Sequence, residues 1–139
     1  MPLYVLDTDH LSLLQRGNEA IRTHLLRVPP TEIAITVVSL EEQLRGWLAV
    51  INKPITGEQR IKAYCHLRQI TQGFSELNIL DYNQQADKLF EQFRKEKVRI
   101  GTQDLRIACI VLVYKGVLIT RNLKDFSQVL ELQIQDWSV

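Results

Sequence analysis

Short aliphatic runs recur along the chain, each separated from the next by segments of helical spacing, and that alternation leaves few folds open. Leu3 to Leu6, Glu32 to Thr36, Leu77 to Leu80 and Val117 to Thr120 read as buried strands, and Leu132 to Ile134 as a further edge strand. His10 to Arg16, Glu19 to Arg27, Ser39 to Val50, Gly57 to Thr71, Asn83 to Lys97 and Gln103 to Tyr114 read as helices, and Leu123 to Phe126 as a helical turn. Gly17, the pair Pro29 and Pro30, and Lys115 with Gly116 supply the stops. Strands separated by helices cannot pair as tight hairpins. The expectation is an α/β fold with a mostly parallel central sheet of four to five strands and helices on both faces. The Ser39 and Gly57 helices, broken at Lys53 and Pro54, should form a helical hairpin, the second presenting Ile61, Tyr64, Cys65 and Leu67 on its apolar side.

The 139 residues suit one domain with a real core, and 45% hydrophobic with 24% charged residues is an ordinary globular balance. Seventeen basic against sixteen acidic side chains leave a net charge of +1, which excludes gripping a nucleic acid by bulk charge. The only cysteines, Cys65 and Cys109, offer neither a zinc spacing nor a disulfide framework and read as buried thiols. With no leader pattern and no apolar run near the ~18 residues that span a bilayer, no membrane association and a cytoplasmic location are expected.

Acidic residues collect where such a sheet would place a ligand, outside the carboxyl ends of its strands. Asp7 and Asp9 follow the first strand. Glu41 and Glu42 open the helix after the second, Asp104 lies in the first turn of the apolar helix that feeds the fourth, and Asp125 follows that strand. Each alone has a simpler explanation, because acidic side chains stabilise helix N-termini by roughly 0.3–1 kcal/mol. Either Asp7 or Asp9 could cap the first helix, and Asp9 is the favoured cap position. Their shared edge of the sheet is what capping does not explain.

Four stretches then carry a resemblance: LDTDHLS at Leu6 to Ser12, SLEEQLRG at Ser39 to Gly46, IGTQDLRIA at Ile100 to Ala108 and LITRNLKDF at Leu118 to Phe126. In order and spacing the chain resembles the PIN-domain ribonucleases, most closely the VapC-type toxins of bacterial toxin–antitoxin pairs, from Leu3 to Trp137. The resemblance implies a single PIN domain over 1–139, a three-layer fold with a protruding helical hairpin, and metal-dependent endonucleolytic cleavage of RNA. It makes Asp7, Glu42, Asp104 and Asp125 the catalytic carboxylates, with Asp7, Asp104 and Asp125 on the metal, and Thr120, Asn122 and Asp9 as polar lining. Glu42 is preferred to Glu41 because the family's Glu stands four residues before its Gly, here Gly46. Asp9 departs from the Asn that many relatives carry. The implied partners are RNA, a small antitoxin protein that enters or covers the site, and a second copy in a homodimer, with contact surfaces on the hairpin, Leu40 to Gln72, and the N-terminal helices.

The chemistry is consistent with that residue set. Carboxylates within ~5 Å of one another repel by about 3 kcal/mol per pair at an effective dielectric near 20, so a cluster implies raised pKa values or a bound cation. All-oxygen ligands suit Mg²⁺ or Mn²⁺ rather than structural zinc. Candidate phosphate contacts are Arg121 and Lys124 beside Asn122, and Arg99 at the end of FRKEKVR. His10 is read as structural, His24 and His66 have no evident partner, and Trp47, Phe90 and Phe93 fall at core spacing. Two alternatives remain. A catalytically silent binding module would keep the fold without turnover, and a haloacid-dehalogenase-like phosphohydrolase would share the D-x-D but require a Thr where this chain has Leu11.

Overall fold

The computed structural model describes residues 2–139. Strand β1 (Tyr4–Leu6) leads through helices α1 (Thr8–Gln15) and α2 (Glu19–Leu26) and a short 3-10 turn (Pro30–Glu32) to β2 (Ile33–Thr36). Helices α3 (Val37–Ile51) and α4 (Gly57–Ser75) precede β3 (Asn78–Leu80), and α5 (Gln84–Lys95) and α6 (Thr102–Val113) precede β4 (Val117–Ile119). Helix α7 (Leu123–Phe126) and β5 (Gln133–Gln135) complete the chain. The sheet has five strands in the order β3-β2-β1-β4-β5, all parallel, so the expected edge strand is present and no antiparallel pair joins it.

Alternation along the strands divides the core into two layers. Val5, Ala34 and Leu118, neighbours in the parallel register, face Phe90 and Phe93 of α5 and the buried Leu105 and Ile107 to Val111 of α6. Leu6, Ile35 and Ile119 point the other way, onto Leu11, Ile21, Ile70, Phe74 and Trp137. Each such side chain contributes roughly 1.5–3 kcal/mol by leaving water. Burial also pushes the Cys109 thiol up to about 12, which leaves it an inert core residue as expected.

The hairpin departs from its expected face. Helix α4 packs chiefly on α3, through Ala63, Ile70 and Phe74, whereas Ile61 and Tyr64 are 75% and 55% exposed and Cys65 is exposed. The stripe read as inward is the outer one, because a helix with one main neighbour buries only a narrow stripe and other apolar residues remain outside. A second difference lies at the start of α3. Thr36 caps it, its Oγ1 accepting from Ser39 N at 3.2 Å, so the helix begins before Ser39 and Glu41 and Glu42 fall in its second turn, not its first. At the end of α6 it is Lys115 that turns left-handed, at φ 56°. Gly116 serves a close approach, since a Cβ there would meet Leu3 O at 2.9 Å.

Candidate active site at the carboxyl edge of the sheet

Strand β1 is the switch point of the sheet, with the chain running from it to β2 on one side and pairing with β4 on the other. A crevice outside the carboxyl ends of such strands is the expected ligand position in an open α/β sheet. Here it is a cleft of about 490 Å³ lined by Asp7, Thr8, Asp9, Ser12, Glu42, Asp104, Arg121 and Asn122. Asp7 leaves β1 with its N–H still bonded to Ile119 O at 3.0 Å, so the end of β4 fixes where its side chain starts.

Asp7, not Asp9, caps α1: its Oδ1 accepts from His10 N at 2.7 Å. Asp9 lies inside the first helical turn, where it takes both oxygens to Arg121, Nε to Oδ2 at 2.7 Å and Nη2 to Oδ1 at 2.9 Å. The favoured cap assignment is thereby corrected. The helix starts two residues earlier than its apolar spacing suggests, which moves the cap onto the first residue after the strand.

Glu42 reaches the cleft from α3 and is held by Thr8, whose Oγ1 donates to Oε1 at 2.6 Å and also meets Ser39 Oγ at 2.9 Å. Glu41 is turned away, accepting from Gln103 at 2.8 Å and paired with Arg45. Asp104 enters from the first turn of α6. Asp125, on α7, accepts from Asn122 Nδ2 at 3.0 Å, and Asn122 caps that same helix.

The four carboxylates meet at Asp104. Burial first, then the charges of Glu42, Asp7 and Asp125, raise its carboxyl to about 6, and the nearby Asn122 amide offsets this only in part. Against this acidic set the cleft wall offers one cation, Arg121, already paired with Asp9. An excess of negative charge on hard oxygen donors fits a hard divalent cation. One atom each of Asp7, Asp9 and His10 also lie within 4.8 Å of one another. His10 is no ligand in that group, however, because its Nε2 accepts from Trp137 N at 3.2 Å and the ring proton therefore belongs on Nδ1.

Thr120, expected as lining, is fully buried behind the cleft, its Oγ1 accepting from Asn122 N at 2.9 Å. Lys124 is exposed on α7, and Arg99 is exposed and stands off the cleft wall, its carbonyl accepting from Gln128 at 3.4 Å. Thr8, Ser12 and Ser39 escaped the sequence reading as site residues, although all three stand inside its motifs. Trp47, expected in the core, is half-buried and stacks on His66 at 4.3 Å, in a neighbouring groove that shares Thr8, Ser12 and Glu42 with the cleft.

No family model matches the chain. It is 29% identical over 142 residues to Ribonuclease VapC1 of Haemophilus influenzae strain R2866, covering 98% of each chain. Among solved structures it superposes on VapBC-1 from nontypeable Haemophilus influenzae with a TM-score of 0.75, 27% identity and 99% coverage of each chain. A toxin–antitoxin complex from Klebsiella pneumoniae shares the fold at 23% identity, with 93% of this chain and 94% of that one covered and a TM-score of 0.69.

Proposed function

We propose that the chain is a VapC-type PIN-domain ribonuclease, as its similarity to Ribonuclease VapC1 and VapBC-1 supports, and that residues 1–139 form a single domain that cuts RNA at phosphodiester bonds as the toxin of a toxin–antitoxin pair. The observation that carries the reading is the convergence of Glu42, Asp7 and Asp125 on Asp104 at the switch point of the sheet. Asp7, Asp104 and Asp125 would hold the cation, Mg²⁺ or Mn²⁺ by their all-oxygen chemistry. When bound, such an ion supplies a nucleophilic water near neutral pH and neutralises charge on the phosphoryl oxygens.

The chain's own residues do the remaining work. Asp7 is fixed by the α1 backbone, Asp125 is oriented by Asn122, and Glu42, anchored at Oε1 by Thr8, is the proton acceptor. Arg121 and Lys124 flank Asn122 where a phosphate would enter, so substrate grip is local, as the net charge of +1 requires. The antitoxin partner is carried over from relatives solved as VapBC complexes. A second copy is assigned to the hairpin, whose outer stripe leaves Ile61 and Tyr64 in solvent. No helix among the described residues is long and apolar enough to cross a membrane, and the site of action proposed is the cytoplasm.

The test is incubation of the purified protein with total bacterial RNA, with Mg²⁺ or Mn²⁺, with EDTA, and with Asp7→Asn as control. Discrete cuts that need both metal and Asp7 support the nuclease. A protein that binds RNA without cutting it under either metal returns the silent binding module.

A further inference from the structure

Beneath the cleft lies a polar side chain that the proposed chemistry leaves without a task. His10 is fully buried, and its Nδ1 is the one buried side-chain nitrogen or oxygen without a hydrogen-bond partner among the described residues. A buried donor left so costs roughly 1–3 kcal/mol, more than a core position would spend on a ring that Leu could replace. Both of its edges face carboxylates. Nδ1 stands 3.4 Å from Asp7 Oδ1, and Nε2 stands 3.5 Å from Asp136 Oδ1 while accepting from Trp137 N at 3.2 Å.

The C-terminal segment decides how the ring is used. Trp137 is 4% exposed, tilted against Tyr4 at 5.3 Å and stacked on His24 at 5.2 Å, so its N–H is held rigidly toward Nε2. Nε2 is thus committed as an acceptor, which leaves the ring proton on Nδ1, the edge that stands 3.4 Å from Asp7 Oδ1. Asp136 is itself occupied at the same oxygen, accepting from Ser138 N at 2.8 Å and Ser138 Oγ at 2.6 Å.

We infer that His10 is a positioning residue for the metal site: its Nδ1–H, oriented by the backbone of Trp137, holds the Asp7 carboxylate from behind and ties the geometry of the cleft to the C-terminal segment. This rests on the reading that Asp7 holds the cation. Outer partners that orient a ligating group typically command 10–100-fold in metal affinity. At 3.4 Å the contact is longer than a normal N–H···O bond.

Two substitutions separate the two edges of the ring. An Asn amide reaches the Nδ1 position and no further, and a Gln side chain reaches the Nε2 position. His10→Gln keeps the acceptor for Trp137 and removes the donor to Asp7; His10→Asn does the reverse. Mn²⁺ affinity, measured by calorimetry or paramagnetic resonance beside the thermal midpoint, should fall ~10-fold or more in His10→Gln with the midpoint little changed. His10→Asn should retain Mn²⁺ affinity within about 3-fold while losing thermal stability, because outer-partner effects follow the donor to the ligand.

Unchanged affinity in His10→Gln, or loss in both variants that simply follows their stability, overturns the inference and leaves His10 as core. Absence of Mn²⁺ binding in the unsubstituted protein sinks the metal reading itself, a separate failure. Nitrogen chemical shifts of the wild-type imidazole need no variant: a protonated Nδ1 that shifts on adding Mg²⁺ is expected, and a protonated Nε2 overturns the assignment.

Discussion

At the β1–α1 corner, Asp7 is only 6% exposed yet accepts a backbone N–H at 2.7 Å with His10 behind it. Across the same cleft Asp104 stands at the start of α6, a helix whose Gly101 cap contributes no side-chain bond, and its carboxyl is raised to about 6. Two carboxylates proposed for one cation are therefore built on different principles. The first is positioned by hydrogen bonds that exist without metal. The second is held where burial first and then its acidic neighbours disfavour its ionised form, which an arriving cation would stabilise. A site made entirely of the first kind would be well ordered but weakly driven to load; one made entirely of the second would lack a fixed ligand.

The largest expected effect is on turnover, and there the two sides should look alike. Asp7→Asn and Asp104→Asn each remove a proposed ligand, and each should lower cleavage more than about 100-fold, beyond what an outer partner commands. Quantitative cleavage of a mapped RNA substrate measures it. A variant that keeps a tenth of the activity is not missing a ligand.

Stability without metal should split them. The displacement of Asp104 from 3.8 to about 6, with screening on the open side of the cleft, corresponds to about 1–2 kcal/mol. Asp104→Asn should gain that amount in EDTA at pH 7, by urea unfolding. Asp7→Asn should be near neutral, because Asn caps a helix as well as Asp does, whereas Asp7→Ala should lose about 1 kcal/mol with the cap. Equal responses of the two Asn variants would erase the distinction.

The same asymmetry sets a pH dependence. Asp104 keeps its proton in the folded chain up to about pH 6 but loses it near 3.8 when unfolded, so between those values the folded state binds the extra proton. The stability it contributes is complete below 3.8 and is lost as pH rises through about 6. A metal-free unfolding series from pH 4 to 7 should therefore decline by an amount that Asp104→Asn removes. Saturating Mg²⁺ should flatten the decline as well, since the cation replaces the proton.

How much of this was legible in the sequence also divides along the cleft. The strand and helix order could be read from aliphatic runs and helical spacing, and the acidic edge from where charge follows strands, because both are local patterns. Which Asp caps α1 could not be read, since the start of that helix depends on β1 pairing with β4 through Asp7 N–H. The outward turn of Ile61 and Tyr64 was equally hidden, because an apolar stripe does not say whether a neighbour exists to cover it. Thr8 and the buried His10 acquire their roles only through residues 31 to 127 positions away.

The smallest effect concerns the one ion pair on the cleft wall. Asp9 and Arg121 are about half exposed, so by geometry alone their bidentate pair should contribute little to folding. In the cleft, however, Arg121 is the one cation among four acidic neighbours, and Asp9 takes up that charge. A double-mutant cycle of Asp9→Ala and Arg121→Ala should return effects that are nearly additive in urea unfolding. In RNA cleavage, Asp9→Ala should lower KM at low salt by freeing the guanidinium, and Arg121→Ala should raise it. If both substitutions raise KM alike, Arg121 works only as part of the pair, and the phosphate contact passes to Lys124.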